Sequence, residues 1–147
     1  MKSITFYTEI VIDANIDSIW NLLVDLSSYS KWNPWVIEAF GDVVPGGYIN
    51  VKVIMNDKIM KASHIMLDVE KNRRLCWKDA GWNSLFVYAQ RSRDLEELPN
   101  GKVLLTQTIT ANGILSSFVK YFYGKSLQKG IEDESNAIKL FLENNNQ

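Results

Sequence analysis

The 147-residue sequence predicts an α+β fold: a curved antiparallel sheet of six to seven strands wrapped around one long C-terminal helix, with two short helices after strand 1. Three observations carry this. Apolar residues alternate with period two at the start of the chain, turn-forming residues then punctuate a series of further alternating runs, and beyond Gly113 the apolar period becomes helical. One helix covers so many strands only if the sheet curves around it, and the helix then closes one side of a cavity.

The elements follow in order. Ile4, Phe6, Ile10 and Ile12 share one face of a strand whose other face carries Thr5, Tyr7, Glu9 and Asp13. Asn15 can cap the next helix through its side-chain oxygen, and Ile16, Ile19, Trp20 and Leu23 repeat at helical spacing. Residues 26–32 add a further helical turn, which Pro34 ends by forcing Asn33 out of helix, and residues 36–40 are extended. Gly46-Gly47 is a turn, after which Ile49, Val51, Val53 and Met55 alternate with Tyr48, Asn50 and Lys52. Asn56-Asp57 makes a hairpin tip before a strand over residues 59–69. Lys71-Asn72-Arg73 turns the chain into the short return Leu75-Cys76-Trp77, and Gly81 breaks the pattern again. Residues 85–93 and 103–111 form the last pair, joined through Glu96, Glu97, Pro99, Asn100 and Gly101. In the terminal helix Leu115, Phe118, Val119 and Phe122 define one face and Leu127, Ile131, Ile138 and Phe141 another, which predicts a bend near Gly124.

Composition narrows the function. The length suits a single domain spanning residues 1–147. Sixteen Lys plus Arg against seventeen Asp plus Glu leave a formal net charge of −1, so there is no basic field to attract nucleic acid. The first residues lack the layout of a secretory signal, and no apolar run approaches the roughly 20 residues that cross a bilayer. One cysteine, Cys76, permits no intrachain disulfide and fits a reducing, cytoplasmic setting. A monomer or homodimer is expected.

Trp32-Asn33-Pro34-Trp35 is the most informative stretch: two indoles held around a proline, just after Tyr29, suit the wall of a pocket for a greasy ligand with a polar handle. Trp77, Phe118 and Phe122 would add apolar wall, and Val53, Phe86, Ile109 and Ile131 complete the expected lining. Tyr88 and Gln107 would orient the ligand. Gln107 interrupts the apolar face of Val103, Leu105, Ile109 and Ala111, so a buried amide there needs a partner: a ligand, a water, or Tyr88 and Gln90 across the strands. Ser126, Gly130 and Ala137 are small residues on the long helix, placed either for close packing or to leave room for a ligand.

Catalytic and metal chemistry find little support. His64, the sole histidine, lies opposite the more apolar face of Ile65, Leu67 and Val69, and so is expected to point away from the cavity, although Met60, Ala62 and Met66 on its own face keep the alternative open. Cys76 points opposite to Leu75 and Trp77 and reads as an ordinary packed thiol. One His, one Cys and scattered carboxylates lack metal-ligand spacing, and Gly46-Gly47 is not a phosphate loop, so no metal and no cofactor are expected. Glu132 and Asp133 suit a solvated helix face. Glu134 falls near Leu127, Ile138 and Phe141, where it would form a salt bridge or meet a ligand's polar end. No residue is assigned a catalytic role.

The order of elements, with Ile12-Asp13-Ala14, Ile19-Trp20-Asn21-Leu22-Leu23-Val24-Asp25, Tyr29-Ser30-Lys31-Trp32-Asn33-Pro34, Gly46-Gly47, Leu75-Cys76-Trp77, Gly101 before Val103-Leu104-Leu105, and Gly113, resembles the START-like (SRPBCC, Bet v 1-like) helix-grip superfamily. The likeness spans nearly the whole chain and leans toward the polyketide cyclase/dehydrase and lipid transport-like branch. It implies a ligand pocket between sheet and helix. Many relatives carry a histidine in the penultimate long strand where this chain has Tyr88, Ala89 and Gln90, so no role of that histidine transfers. Three functions are therefore expected in order: a binder or carrier of a small hydrophobic molecule, lipid-like or aromatic; a cyclase/dehydratase-type enzyme using the same cavity; and an interaction module of the chaperone-ATPase-activator kind, using the Lys120, Lys125 and Lys129 edge of the helix.

Overall fold

A computed structural model describes residues 3–80 and 88–145. Strand β1 (Ser3–Ile12) leads into helix α1 (Ile16–Val24), a 3-10 turn (Leu26–Ser28) and the single turn α2 (Tyr29–Trp32). Strands β2 (Val36–Gly41), β3 (Tyr48–Met55), β4 (Lys58–Glu70), β5 (Arg74–Asp79), β6 (Tyr88–Glu97) and β7 (Val103–Asn112) follow, and α3 (Ser116–Asn145) ends the described chain. The sheet has seven strands in the order β1-β7-β6-β5-β4-β3-β2, every neighbouring pair antiparallel. This is the expected α+β helix-grip architecture.

Local chemistry sets the boundaries. Asn15 Oδ1 accepts the Asp17 N–H at 2.7 Å and caps α1. At the end of α2 Asn33 turns to φ −87°, ψ 115°, and its Oδ1 then accepts the N–H groups of Trp35 (3.0 Å) and Val36 (2.9 Å), which aims Trp35 inward. Asn56 and Asp57 sit at φ 51° and 64°, the left-handed pair that a two-residue hairpin requires. Strand β6 runs through Glu96 and Glu97, beyond the expected end at residue 93, because they pair with Leu104 and Val103 while their carboxylates stay in solvent.

Two irregularities redirect side chains. Register shifts between Met66 and Asp68, leaving Leu67 without a partner in β5, and between Val36 and Glu38. The first shift changes which face the strand presents: Met66 is buried inward, and beyond the bulge Val69 packs on the same core. The uniform alternation expected over residues 59–69 is broken there, and His64 faces the cavity with Met66 rather than away from it.

The core forms two clusters along α3. One gathers Ile12, Ile19, Leu23, Leu75, Leu105 and Ile138, and the other Phe6, Tyr29, Trp35, Val36, Ile109 and Ile131. Inward positions of α3 follow 119, 123, 127, 131, 134, 138 and 142, the three- and four-residue steps of one helical stripe. No helix among the described residues is long and apolar enough to cross a membrane.

Candidate functional site

A cavity of about 300 Å³ opens between the concave face of the sheet and α3. Its walls are mostly apolar: Val36, Ile49, Val51, Val53 and Met55 on the β2–β3 side, Met66, Leu75 and Trp77 in the middle, and Ile109 and Ala111 from β7. Val119, Tyr123 and Leu127 of α3 close it. Trp35 and Trp77 bring two indoles to it from different elements.

Its polar groups converge from distant parts of the chain. Arg91 and Arg93 are alternate residues of β6, and both side chains point inward and line the cavity. Both donate through Nη2 to Oε1 of Glu134, whose side chain is fully buried on α3. The other Glu134 oxygen accepts from Asn33 Nδ2 at 2.7 Å. Arg93 Nη1 donates to Tyr29 Oη at 2.7 Å, and that hydroxyl donates to the Leu23 carbonyl at 2.5 Å. Arg91 Nη2 also donates to Gln107 Oε1 at 2.6 Å, while Gln107 Nε2 donates to Ser135 Oγ at 2.8 Å.

Aromatic faces hold the same cations. The Arg91 guanidinium carbon lies 4.7 Å from the Trp35 ring centroid and 5.0 Å from that of Trp77. Arg93 lies 5.6 Å from the Tyr29 ring and 5.1 Å from Trp77. Indole and phenol faces are negative, so they partly replace the lost water around each guanidinium.

The ionisation of the group reflects its burial. Burial disfavours the Glu134 carboxylate, but Arg91 and Arg93 outweigh it and hold its pKa down at about 2. Burial, helped by the charge on Arg93, pulls the Arg91 pKa down to about 10, still leaving it charged at neutral pH. Burial also opposes the charge on Arg93, but there the attraction of Glu134 prevails and the pKa is raised.

A second polar pair also lines the cavity. His64 Nδ1 stands 3.3 Å from Asp79 Oδ1, at ion-pair distance though without the alignment of a hydrogen bond, and Asp79 Oδ2 accepts the Ala89 N–H at 3.2 Å. Among the described residues no group of three or more His, Cys, Asp or Glu is gathered so as to hold a metal ion.

Of the residues expected to line a pocket, Trp35, Val53, Trp77 and Ile109 do so. Trp32 does not: it packs edge-on against Tyr29 at 5.0 Å and donates Nε1–H to Ser28 Oγ at 3.0 Å. Phe118 and Phe122 are about half exposed and stack on each other at 4.3 Å, because residues one position before Val119 and Tyr123 are rotated about 100° away on a helix. With Ile114, Leu115 and Tyr121 they leave an apolar stretch exposed at the start of α3. Ile131 belongs to the packed core. Gln107 is fully buried, accepting from Arg91 Nη2 and donating to Ser135 Oγ. Phe86 lies outside the described residues, as does the side chain of Tyr88.

Glu134 forms the salt bridge its helical position suggested. Arg91 and Arg93 were not singled out in the sequence, where arginines in a strand suggest a solvated face. A faint signal was present in their alternation with Ala89 and Leu95, which are small or apolar.

No family model matches the sequence, and no curated protein matches it. Solved structures do match. The Zhui aromatase/cyclase from Streptomyces sp. R1128 superposes with a TM-score of 0.84 at 11% identity, over 99% of this chain and 97% of that one. A START superfamily protein from Mycobacterium smegmatis gives 0.74 at 15% identity, over 95% and 97%. The di-domain aromatase/cyclase StfQ of the steffimycin biosynthetic pathway gives 0.75 at 12% identity over 97% of this chain, which spans about half (51%) of StfQ. The chain thus has the START-like helix-grip fold.

Proposed function

We propose that this protein binds or carries a small hydrophobic molecule, lipid-like or aromatic, in the cavity between the sheet and α3. The observation that carries this reading is the cavity itself: about 300 Å³, walled by aliphatic side chains and two indoles, with polar groups confined to a few places. That volume stands at the lower end of ligand pockets, which span roughly 300 to 1,000 Å³. Trp35, Val53, Trp77 and Ile109 are the proposed apolar contacts. A net charge of −1 gives nucleic acid no field to follow.

Titration with fatty acids, sterols and flavonoids while following tryptophan fluorescence tests the proposal. Saturable quenching with at least one class is expected, and W77F should diminish it. Silence across all three classes would overturn the reading.

The structural likeness to aromatase/cyclases and the His64–Asp79 pair at the cavity wall favour one alternative, a cyclase/dehydratase-type reaction in the same space. There the walls would fold a reactive chain and the imidazole would move a proton. H64Q would then abolish turnover of a polyketide-like substrate and leave its affinity within a few-fold.

A further inference from the structure

The cavity holds more positive than negative charge at its polar end. Arg91 and Arg93 bring two guanidinium groups, with 11% and 3% of their side-chain surfaces exposed, against the single carboxylate of Glu134. The other groups bonded to them, Tyr29 and Gln107, are neutral. Among the described residues neither arginine has a second carboxylate partner.

Asp79 lies across from Ala89 in the next inward row, engaged by His64 and by the Ala89 amide. Lys61 also lines the cavity, is exposed, and adds no negative charge. The two guanidinium groups are thus bonded to a single carboxylate, an excess of one positive charge among directly paired groups in a mostly buried site.

Hydrogen bonding shows the same deficit. The Nε–H groups of Arg91 and Arg93 are buried and have no partner among the described residues. Indole rings cover the Arg91 guanidinium near 5 Å, so its further hydrogen bonds must be made at its edge, in the plane where a carboxylate binds.

From this we infer that the ligand is an organic monoanion, an apolar body ending in a carboxylate, with its charged end at Arg91 and Arg93 and its apolar part along Trp77, Val53 and Ile109. The inference rests on the proposal that the cavity binds a hydrophobic molecule, and it adds the chemical class of the head group. One carboxylate brings the arginine cluster to neutrality, whereas a dianionic phosphate would overshoot it. A guanidinium pair also matches the two oxygens of a carboxylate better than a lone hydroxyl.

Paired probes separate the two levels of the claim. Decanoate and decanol share a chain length and differ at the head group, as do 2-naphthoate and 2-naphthol, and each is titrated into the intact protein by calorimetry at pH 7. At least one acid should bind ten-fold or more tightly than its alcohol, and R91Q should narrow that ratio toward one. Circular dichroism establishes that R91Q is folded, and if it is not, the acid-to-alcohol ratio in the unmodified protein decides alone. Equal affinity of acid and alcohol would overturn the anion inference and leave the hydrophobic-ligand reading standing. Failure of all four probes to bind would remove both.

Discussion

The indole of Trp35 occupies the space where a side chain at Gly130 would stand. A Cβ built on Gly130 falls 2.5 Å from Nε1 and nearer still to Cε2 and Cδ2. The ring is also tied down, donating Nε1–H to the Ile54 carbonyl at 3.0 Å. Small residues on the long helix serve close packing at Gly130, which lets the Trp35 indole, just ahead of β2, lie against α3.

G130A should therefore destabilise the protein. Alanine gains about 1 kcal/mol of helix propensity over glycine, but overpacking costs about 1 to 3 kcal/mol, and a ring held by a hydrogen bond yields poorly. A net loss of about 1 kcal/mol is expected by urea denaturation. A more stable G130A would show that Trp35 moves freely.

E134Q should be far more damaging. It leaves Arg91 and Arg93 buried against each other with no counter-charge, a loss of about 3 to 5 kcal/mol for a broken buried pair. Thermal unfolding near neutral pH measures it, and a change under about 1 kcal/mol would mean the arginines reach solvent.

The same carboxylate predicts an acid limit. Its folded pKa, about 2, lies below the usual 4.5, so it stabilises the fold fully above the unfolded value. That contribution declines as pH falls from about 4.5 through about 2. The stability gap between the native protein and E134Q should shrink across that window and stay constant from pH 6 to 8. A gap independent of pH down to 2 would contradict the ionised pair.

Cys76 should react slowly. Its side chain is buried, with 1% of the residue exposed, and burial raises its pKa despite the nearby Arg74, so little thiolate forms at neutral pH. Labelling by a disulfide reagent should accelerate by at least ten-fold in denaturant. Equal rates in native and unfolded protein would show the site to be open.

Short-range chemistry determined what was legible in the sequence. The alternation of Ile4, Phe6, Ile10 and Ile12, the Asn15 cap, the Asn56-Asp57 turn and the helical period after Gly113 each depend on neighbours a few residues apart, so the helix-grip order could be read directly. What faces the cavity was decided only by the assembled sheet and helix. One bulge at Leu67 reversed the expected direction of His64, and the rotation of α3 put Val119 and Tyr123 inside in place of Phe118 and Phe122. Arg91 and Arg93 can be buried because Glu134, 43 and 41 residues further on, meets them there with Asn33 behind it. A buried charge is tolerated through partners gathered in space, and no local pattern along a strand records whether the fold will supply them.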